Sequence, residues 1–324
     1  MKVLFAGSPA IAVPALNALL NMEEIELAGV LTNPDTSRGR HGAPQPTDVG
    51  EAADALCAGG QGIPVLKPEK LDASAREQAG ALKCDLLISF AYGRIFGPKF
   101  LALFPLGGIN IHPSLLPKYR GPTPVQAAIL NRDDVTGITI QWLAEEMDCG
   151  DIIMQEQLPL NGKETADSLS GIAAAKAAVM LPSALKKIAE GNAPGIPQSH
   201  TNIEASYCSL ITKEDGNIDW SRSAAEIEAK IRGFTPWPLC RTIHEGRELT
   251  ILKADVFNDG EKELLPATAE QPGKVLGTDK KYGILVQTGK GILALTELQY
   301  QAKKALFWRD FLNGARDFSG SKLG

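Results

Sequence analysis

The stretch GGINIHPSLLP, residues 107–117, contains the pattern that decides the fold. Alternate side chains of a strand share a face, so Asn110 and His112 point to one side while the isoleucines beside them point into a core. Pro113 cannot donate a ladder hydrogen bond and therefore ends the strand. A polar pair at the end of an apolar strand, next to a tight turn, is typical of the edge where open α/β sheets place their chemistry.

A second polar loop, residues 145–151, follows the apolar run 137–143, which also has the composition of a strand. Adjacent strands ending in Asn110 and His112 and in Asp148 would bring an amide, an imidazole and a carboxylate to one edge. Such a set can perform acyl transfer. The alternative for a lone histidine at a strand end is a structural side chain satisfied by a backbone carbonyl. The second loop favours the functional interpretation.

The chain before this stretch repeats a strand-then-helix rhythm, which predicts an α/β fold with a Rossmann-like, mainly parallel sheet and helices on both faces. The predicted elements are strand 3–6, helix 10–20, strand 27–32, helix 49–56, apolar run 64–66, helix 74–82 and strand 86–90. The first turn lacks the G-x-G-x-x-G spacing, so we expect no NAD site.

A length of 324 residues favours two domains. A predicted helix, 173–189, precedes a stretch rich in proline and glycine that is typical of a linker. We therefore predict a catalytic domain over 1–189, a linker over 190–206 and a second domain over 207–324. The second domain is predicted to form a small β-barrel from helix 224–233 and short β-like runs at 248–252, 273–276, 283–288 and 291–298.

The composition is that of a globular protein, with 44% hydrophobic residues and a net charge of −5. No uninterrupted apolar run approaches the roughly 20 residues that span a bilayer, and the first residues lack the pattern of a leader, so we expect a cytoplasmic protein without a membrane partner. The five cysteines show no C-x-x-C pair, which argues against a disulfide framework and a structural metal. Cys149, beside Asp148, is not expected to act as a nucleophile.

The segment 32–46 is a long loop rich in proline, and it contains Arg38 and Arg40. Loops of this length in compact domains are usually functional or disordered. Two planar guanidinium groups could reach phosphates, whereas the alternative is a solvated loop.

Several motifs together resemble the signature of formyltransferases that use 10-formyltetrahydrofolate. The signature motifs are Asn110-x-His112, the octet SLLPKYRG at 114–121 and Asp148-x-Gly150-Asp151. Further similarities are AGSP at 6–9, AYG at 91–93, DWS at 219–221 and FTPWP at 234–238. The resemblance therefore covers nearly the whole chain.

The resemblance implies a Rossmann-like catalytic domain joined by a linker to a C-terminal barrel that resembles an oligonucleotide-binding (OB) fold. It is closest to the branch whose acceptor is the α-amino group of methionyl initiator tRNA, with 10-formyltetrahydrofolate as co-substrate and no metal. In that chemistry an amine attacks a formyl carbon, and negative charge develops on its oxygen. Asn110 and His112 would donate hydrogen bonds to this oxyanion. Asp148 would orient His112, favour its protonated form and pass the amine's proton through water.

The resemblance also implies binding residues. Folate contacts are expected from backbone groups at the end of one strand and in the turn after another: Phe90, Ala91, Tyr92 and Gly93, and Ser114, Leu115, Leu116 and Pro117. Arg38 and Arg40 would meet the tRNA acceptor stem, and Lys303, Lys304 and Arg309 would meet its phosphates. For Lys303 and Lys304 the alternative is a solvated pair.

Three other functions remain open from the residues alone. Sugar-nucleotide N-formyltransferases, which act on UDP-amino sugars, share the same trio, and a formyltetrahydrofolate hydrolase would use water as acceptor. A non-catalytic folate- or RNA-binding module belongs to a different class, against which the intact Asn110, His112 and Asp148 argue. The arginine loop favours tRNA, and we expect a monomer.

Overall fold

The computed structural model describes residues 1–37, 42–258 and 271–324. Two compact units are present. The first unit comprises Met1–Pro124, Val135–Pro159 and Leu169–Leu210, and the second comprises Val125–Asp134, Leu160–Ser168 and Ile211–Gly324. Residues 190–206, predicted as a linker, thus lie within the first unit. The predicted domain boundaries remain a proposal about which parts fold independently.

The secondary structure alternates in the first unit and is mostly β in the second. The strands are β1 Lys2–Gly7, β2 Glu26–Leu31, β3 Thr36–Ser37, β4 Pro44–Gln45, β5 Val65–Leu66, β6 Leu86–Phe90, β7 Gly108–His112, β8 Val135–Trp142, β9 Ile152–Pro159, β10 Cys240–His244, β11 Arg247–Val256, β12 Val275–Asp279, β13 Gly283–Gln287, β14 Ile292–Tyr300 and β15 Leu306–Phe307. The helices are α1 Val13–Leu19, α2 Asp48–Leu56, α3 Ala73–Ala81, α4 Pro98–Leu101, α5 Pro124–Leu130, α6 Ala166–Ala189, α7 Ala224–Gly233 and α8 Trp308–Gly314.

The first unit is built on one sheet with the strand order β5-β2-β1-β6-β7-β8-β9. The first five strands in this order are parallel, and β8 and β9 are antiparallel additions. Alternation along β1 divides the core between the two faces, because Val3 and Phe5 pack with Leu16 of α1, whereas Leu4 packs with Phe100 of α4. The predicted mainly parallel sheet with helices on both faces is confirmed.

Every element predicted before residue 107 is present, and all ends but one are displaced by at most one residue. The exception is the predicted helix 10–20, which consists of a 3-10 turn over Ala10–Ala12 followed by α1. The direction of β8 was not predicted. Its antiparallel pairing places Gln141 opposite Asn110 and Thr139 opposite His112, so β7 and β8 end at opposite edges of the sheet. The expectation that both strand ends meet at one edge is therefore wrong.

Helix α6 begins at Ala166, seven residues before its predicted start. Among the described residues it is the one helix that is long and apolar enough to cross a membrane by length and composition. Its buried side chains, including Ala177, Leu181 and Leu185, belong to the same core as Val3.

The second unit contains an antiparallel sheet with the order β10-β11-β14-β13-β12, and β15 pairs with β14. The two outer strands are joined by the segment 320–324, since Leu323 donates to the Gly273 carbonyl and Gly324 donates to the Ile243 carbonyl, both at 2.9 Å. This segment closes the sheet into the predicted small barrel.

Helix α7 has the bounds that the sequence predicted, and its first turn explains them. The Ser223 hydroxyl accepts a hydrogen bond from the Glu226 backbone N–H at 3.2 Å, and the Glu226 carboxylate accepts one from the Ser223 backbone N–H at 2.9 Å. This capping box satisfies two N–H groups that would otherwise lack partners at the helix start.

Candidate active site

Strand β7 presents Asn110 and His112 on one face, as the alternation predicts. Ile109 and Ile111 are buried on the opposite face. His112 is only 4% exposed, whereas Asn110 is half-buried and offers its amide closer to the surface.

The Asp148 carboxylate is the centre of the hydrogen-bond network. Its Oδ1 accepts hydrogen bonds from Asn110 Nδ2 at 3.2 Å and Gln141 Nε2 at 3.1 Å, and its Oδ2 accepts one from the Gly121 backbone N–H at 2.8 Å. Asp148 Oδ1 also lies 3.5 Å from His112 Nδ1. The structure therefore brings the predicted trio of Asn110, His112 and Asp148 together in the first unit.

The trio assembles because the loop after β8 turns back towards β7. Asp148 has a positive φ of 56°, and Gly150 lies against the backbone at the end of β8. A Cβ at position 150 would stand 1.7 Å from the Trp142 carbonyl oxygen, so this return requires glycine. Residues 144–147 of the loop are exposed.

His112 is held from both ring nitrogens. Nε2 lies 2.9 Å from the Tyr119 carbonyl oxygen, which can only accept, so Nε2 is assigned as the protonated nitrogen. Burial lowers the pKa of His112, while Asp148 and the Tyr119 carbonyl raise it by smaller amounts. Asp148 thus favours the protonated form as expected, although burial is the larger cause and lowers the pKa of His112 below its ordinary value.

Two glutamines in this network were missed by the sequence analysis. Gln141 follows from the strand pairing, because it stands opposite Asn110 on the same face. Gln198 is 5% exposed and bonds the carbonyls of Asp148 and Gly150, although its surroundings in sequence are typical of a linker. A glutamine in a stretch rich in proline and glycine gave no signal of this role.

The turn 114–117 is held by internal hydrogen bonds. Thr139 Oγ1 donates to the Ser114 carbonyl at 2.6 Å and accepts from the Leu116 N–H at 3.1 Å, and Gln155 Nε2 donates to the Leu116 carbonyl at 3.0 Å. Ser114 and Leu116 are fully buried. These atoms shape the turn next to His112, and the predicted folate contacts of Ser114, Leu115, Leu116 and Pro117 stay a prediction.

The segment 90–93 lies beside the trio, because Phe90 pairs with Ile111 in the sheet. Phe90 and Tyr92 are buried, whereas Ala91 and Gly93 are exposed and have positive φ angles of 51° and 80°. Their exposed backbone is available to a ligand, and the predicted folate contact of all four residues remains untested.

An open cavity of about 600 Å³ adjoins this segment. It is lined by Asn33, Pro34, Thr36, Thr47, Glu69 and Arg94. Asn33 follows β2 and Arg94 follows β6, and these strands lie on either side of β1, where the chain reverses its direction across the sheet. Ligands of open α/β sheets bind at such switch points.

The predicted tRNA residues fall in two places. Arg38 and Arg40 lie outside the described residues. Lys303 and Lys304 are exposed after β14 in the second unit, where the Lys303 N–H donates to the Tyr300 carbonyl at 2.9 Å. The guanidinium of Arg309 lies 5.1 Å from the centre of the Trp308 ring.

The Cys149 thiol, next to Asp148 in the sequence, is disfavoured as a nucleophile. Burial is the largest cause that raises the pKa of the Cys149 thiol, which disfavours its nucleophilic thiolate. Within the described ranges no group of three or more His, Cys, Asp or Glu side chains could hold a metal ion.

Comparisons with known proteins concern the chain as a whole. A family model described as formyl transferase matches residues 1–185, and one described as formyl transferase, C-terminal domain, matches residues 210–316. The methionyl-tRNA formyltransferase of Treponema denticola is 50% identical over 98% of each chain, and that of Treponema pallidum is 42% identical over 100% of this chain and 99% of its own length.

A similar solved structure supports the fold. The N-formyltransferase from Helicobacter canadensis superposes with a TM-score of 0.63 at 22% identity, over 91% of this chain and 99% of its own. That structure contains folinic acid and dTDP-3-aminofucose. One family model matches more than half of the residues of the present protein, and relatives match it over nearly its full length. The chain therefore belongs to the formyltransferase family.

Proposed function

We propose that the protein transfers a formyl group from 10-formyltetrahydrofolate to the α-amino group of methionyl initiator tRNA and so supports translation initiation. The observation that carries the proposal is the assembled trio of Asn110, His112 and Asp148 in a chain whose relatives named methionyl-tRNA formyltransferase match it from end to end. We further propose that it acts as a monomer in the cytoplasm.

The residues near the trio suit a flat co-substrate. Leu115, which is 9% exposed, supplies apolar surface, and apart from the chain neighbours of Gly93 no described atom lies within 4 Å of the place where its Cβ would stand. The backbone of Ala91 and Gly93 and the Asn110 amide would hold the folate. When bound, 10-formyltetrahydrofolate supplies the formyl group.

Each member of the trio has a separate task. Asn110 uses one amide N–H on Asp148 and keeps a second N–H for the oxygen on which charge develops. His112 and Asp148 together can take up the proton that the attacking amine loses, directly or through water, and return it to N10 of the folate as the bond from the formyl carbon to N10 breaks. Asp148, 3.5 Å from Nδ1, then stabilises the protonated ring.

The proposed acceptor is tRNA, and basic residues of the chain would contact it. Arg38 and Arg40 would meet the acceptor stem, and the exposed Lys303 and Lys304 ammonium groups are accessible to phosphates, with Arg309 nearby in sequence. The cavity beside Asn33 and Arg94 lies at the edge where β7 also ends, which leaves room for the end of a bulky acceptor.

The test is a comparison of acceptors. Purified protein and 10-formyltetrahydrofolate are incubated with methionyl initiator tRNA, with a charged elongator tRNA and with a UDP-amino sugar, and formylated product is quantified. We expect product on the initiator alone. Product on the sugar alone would overturn the tRNA assignment, and folate turnover without any acceptor would indicate a hydrolase.

A further inference from the structure

We infer that Gln198, held by Arg120, is a positioning residue that fixes the Asp148 carboxylate for the transfer reaction. The inference rests on the proposed function for its activity readout. All four partners, which are Arg120, Gln141, Asp148 and Gln198, lie in the first unit.

The Gln198 amide nitrogen fastens the loop on both sides of Cys149. Nε2 lies 2.7 Å from the Asp148 carbonyl oxygen and 2.8 Å from the Gly150 carbonyl oxygen, and 3.2 Å from Gln141 Oε1. Gln141 in turn donates to the Asp148 carboxylate. The Gln198 side chain therefore contacts the backbone of Asp148 and also Gln141, which is one of the three residues that donate an N–H to the Asp148 carboxylate.

Arg120 fixes the other end of the same amide. Its Nε and Nη2 both donate to Gln198 Oε1, at 3.0 and 2.6 Å, and Nη1 donates to the Tyr207 hydroxyl at 3.1 Å. With the oxygen held by two guanidinium donors, the amide has one orientation, with its N–H groups towards the loop. The flip that would point oxygen at two carbonyls is excluded.

The backbone next to Arg120 also contacts Asp148. Gly121 donates its N–H to Asp148 Oδ2, and a Cβ at position 121 would stand 2.3 Å from the Cys208 carbonyl oxygen. Cys208 N–H donates to the Arg120 carbonyl at 2.9 Å. The segment around Cys208 therefore packs against the backbone that carries the Gly121 N–H and helps to hold this donor in place.

The loop needs such anchors. Asp148 has a positive φ, which is unfavourable for residues other than glycine, and the four residues before it are exposed. Without Gln198, the two carbonyls would lose their buried partner and the carboxylate would lose its restraint. A misplacement of about 1 Å at a reacting group can cost about 100-fold in rate.

The first test is Gln198→Met, which keeps the length of the side chain and removes its donors and acceptor. We expect kcat for formyl transfer to fall about 10-fold to 100-fold, with KM for folate and for tRNA within about 2-fold. Thr242→Val is the control, because it removes a buried hydrogen bond from Trp220 Nε1 in the second unit and should leave kcat unchanged. An unchanged kcat in folded Gln198→Met would overturn the inference.

A double-mutant cycle separates positioning from general destabilisation. In an Asp148→Asn background, measured by single turnover, Gln198→Met should cost less than about 3-fold, because the group it positions is already altered. Equal losses in both backgrounds would overturn the inference.

A third readout is independent of the proposed function. Asp148 raises the pKa of His112, so a displaced carboxylate should lower the His112 pKa in Gln198→Met, as measured by NMR titration of labelled histidines. An unchanged pKa would contradict the inference, even if wild type fails to formylate tRNA and the proposed function falls. If Gln198→Met does not fold, Gln198→Glu retains the Arg120 contact but loses both N–H donors, and its kcat decides in the same way.

Discussion

Two histidines in this protein are equally buried and each is the last residue of a strand, yet only one belongs to a candidate active site. His112 ends β7 and His244 ends β10, and each is 4% exposed. Burial is the largest cause that lowers the pKa of both. Neither burial nor a perturbed pKa therefore identifies the catalytic histidine.

Their partners distinguish them. His112 faces the Asp148 carboxylate and the Tyr119 carbonyl. The His244 ring contacts the Tyr300 hydroxyl through Nδ1 at 2.6 Å and packs 4.6 Å from the Phe318 ring centre, and its Nε2 is buried without a partner among the described residues. The comparison teaches that a carboxylate with its own ordered donors turns a buried imidazole into a group that can accept and hold a proton.

The largest effect should come from removing the charge of Asp148, the partner that His112 has and His244 lacks. Asp148→Asn keeps the shape of the side chain, but it cannot stabilise a protonated His112, so we expect kcat to fall about 100-fold or more. Steady-state formyl transfer measures this. The matched control is Asp85→Asn, since Asp85 also accepts a backbone N–H, from Lys2 at 2.7 Å, away from the trio. Equal losses in the two variants would refute a specific role for Asp148.

A smaller effect is expected on stability against pH. A histidine with a lowered folded-state pKa binds fewer protons when folded than when unfolded, so the stability it contributes is present above its ordinary pKa of about 6.5 and is lost as the pH falls below it. His244→Gln should therefore flatten the fall in urea midpoint between pH 7 and pH 5.5, with kcat at pH 7.5 within about 2-fold of wild type. Glu245 opposes and Arg247 reinforces the lowered pKa of His244. A variant as acid-sensitive as wild type would show that His244 does not titrate in this window.

The smallest effect should come from removing two exposed positive charges in the second unit. Replacing Lys303 and Lys304 by alanine should raise KM for tRNA a few-fold and reduce the slope of log affinity against log salt by about one for each lysine. Lys186 and Lys187 form an exposed control pair at the end of α6. If the control pair changes the salt slope as much, the effect is one of net charge and not of a contact.

The sequence predicted the parts of this account that depend on local periodicity. The alternation around Asn110 and His112 requires no knowledge of neighbouring strands, so β7 and its two faces followed directly. The direction of β8 could not follow, because alternation is the same in parallel and antiparallel strands, and the wrong edge was assigned to its end. The trio still assembles, since Gly150 allows the loop to return.

Gln198 illustrates what local patterns do not contain. Its role depends on a contact with Arg120, 78 residues away, and on carbonyls that have no side-chain signature. Strand β10 was missed because its burial alternates without a matching alternation of hydrophobic residues: Thr242 and His244 are buried, whereas Ile243 is exposed. Both the role of Gln198 and the presence of β10 depend on contacts between residues that are distant in the sequence, and local sequence patterns do not predict such contacts.

The most direct test of the account is the single-turnover rate of formyl transfer from 10-formyltetrahydrofolate to methionyl initiator tRNA in wild type, His112→Ala and His244→Ala, each corrected for folded fraction. We predict a loss of about 100-fold or more for His112→Ala with folate binding retained, and a rate within about 2-fold of wild type for His244→Ala. Near-normal transfer by His112→Ala, or equal losses in the two variants, would contradict the claim that the network around Asp148 carries the reaction.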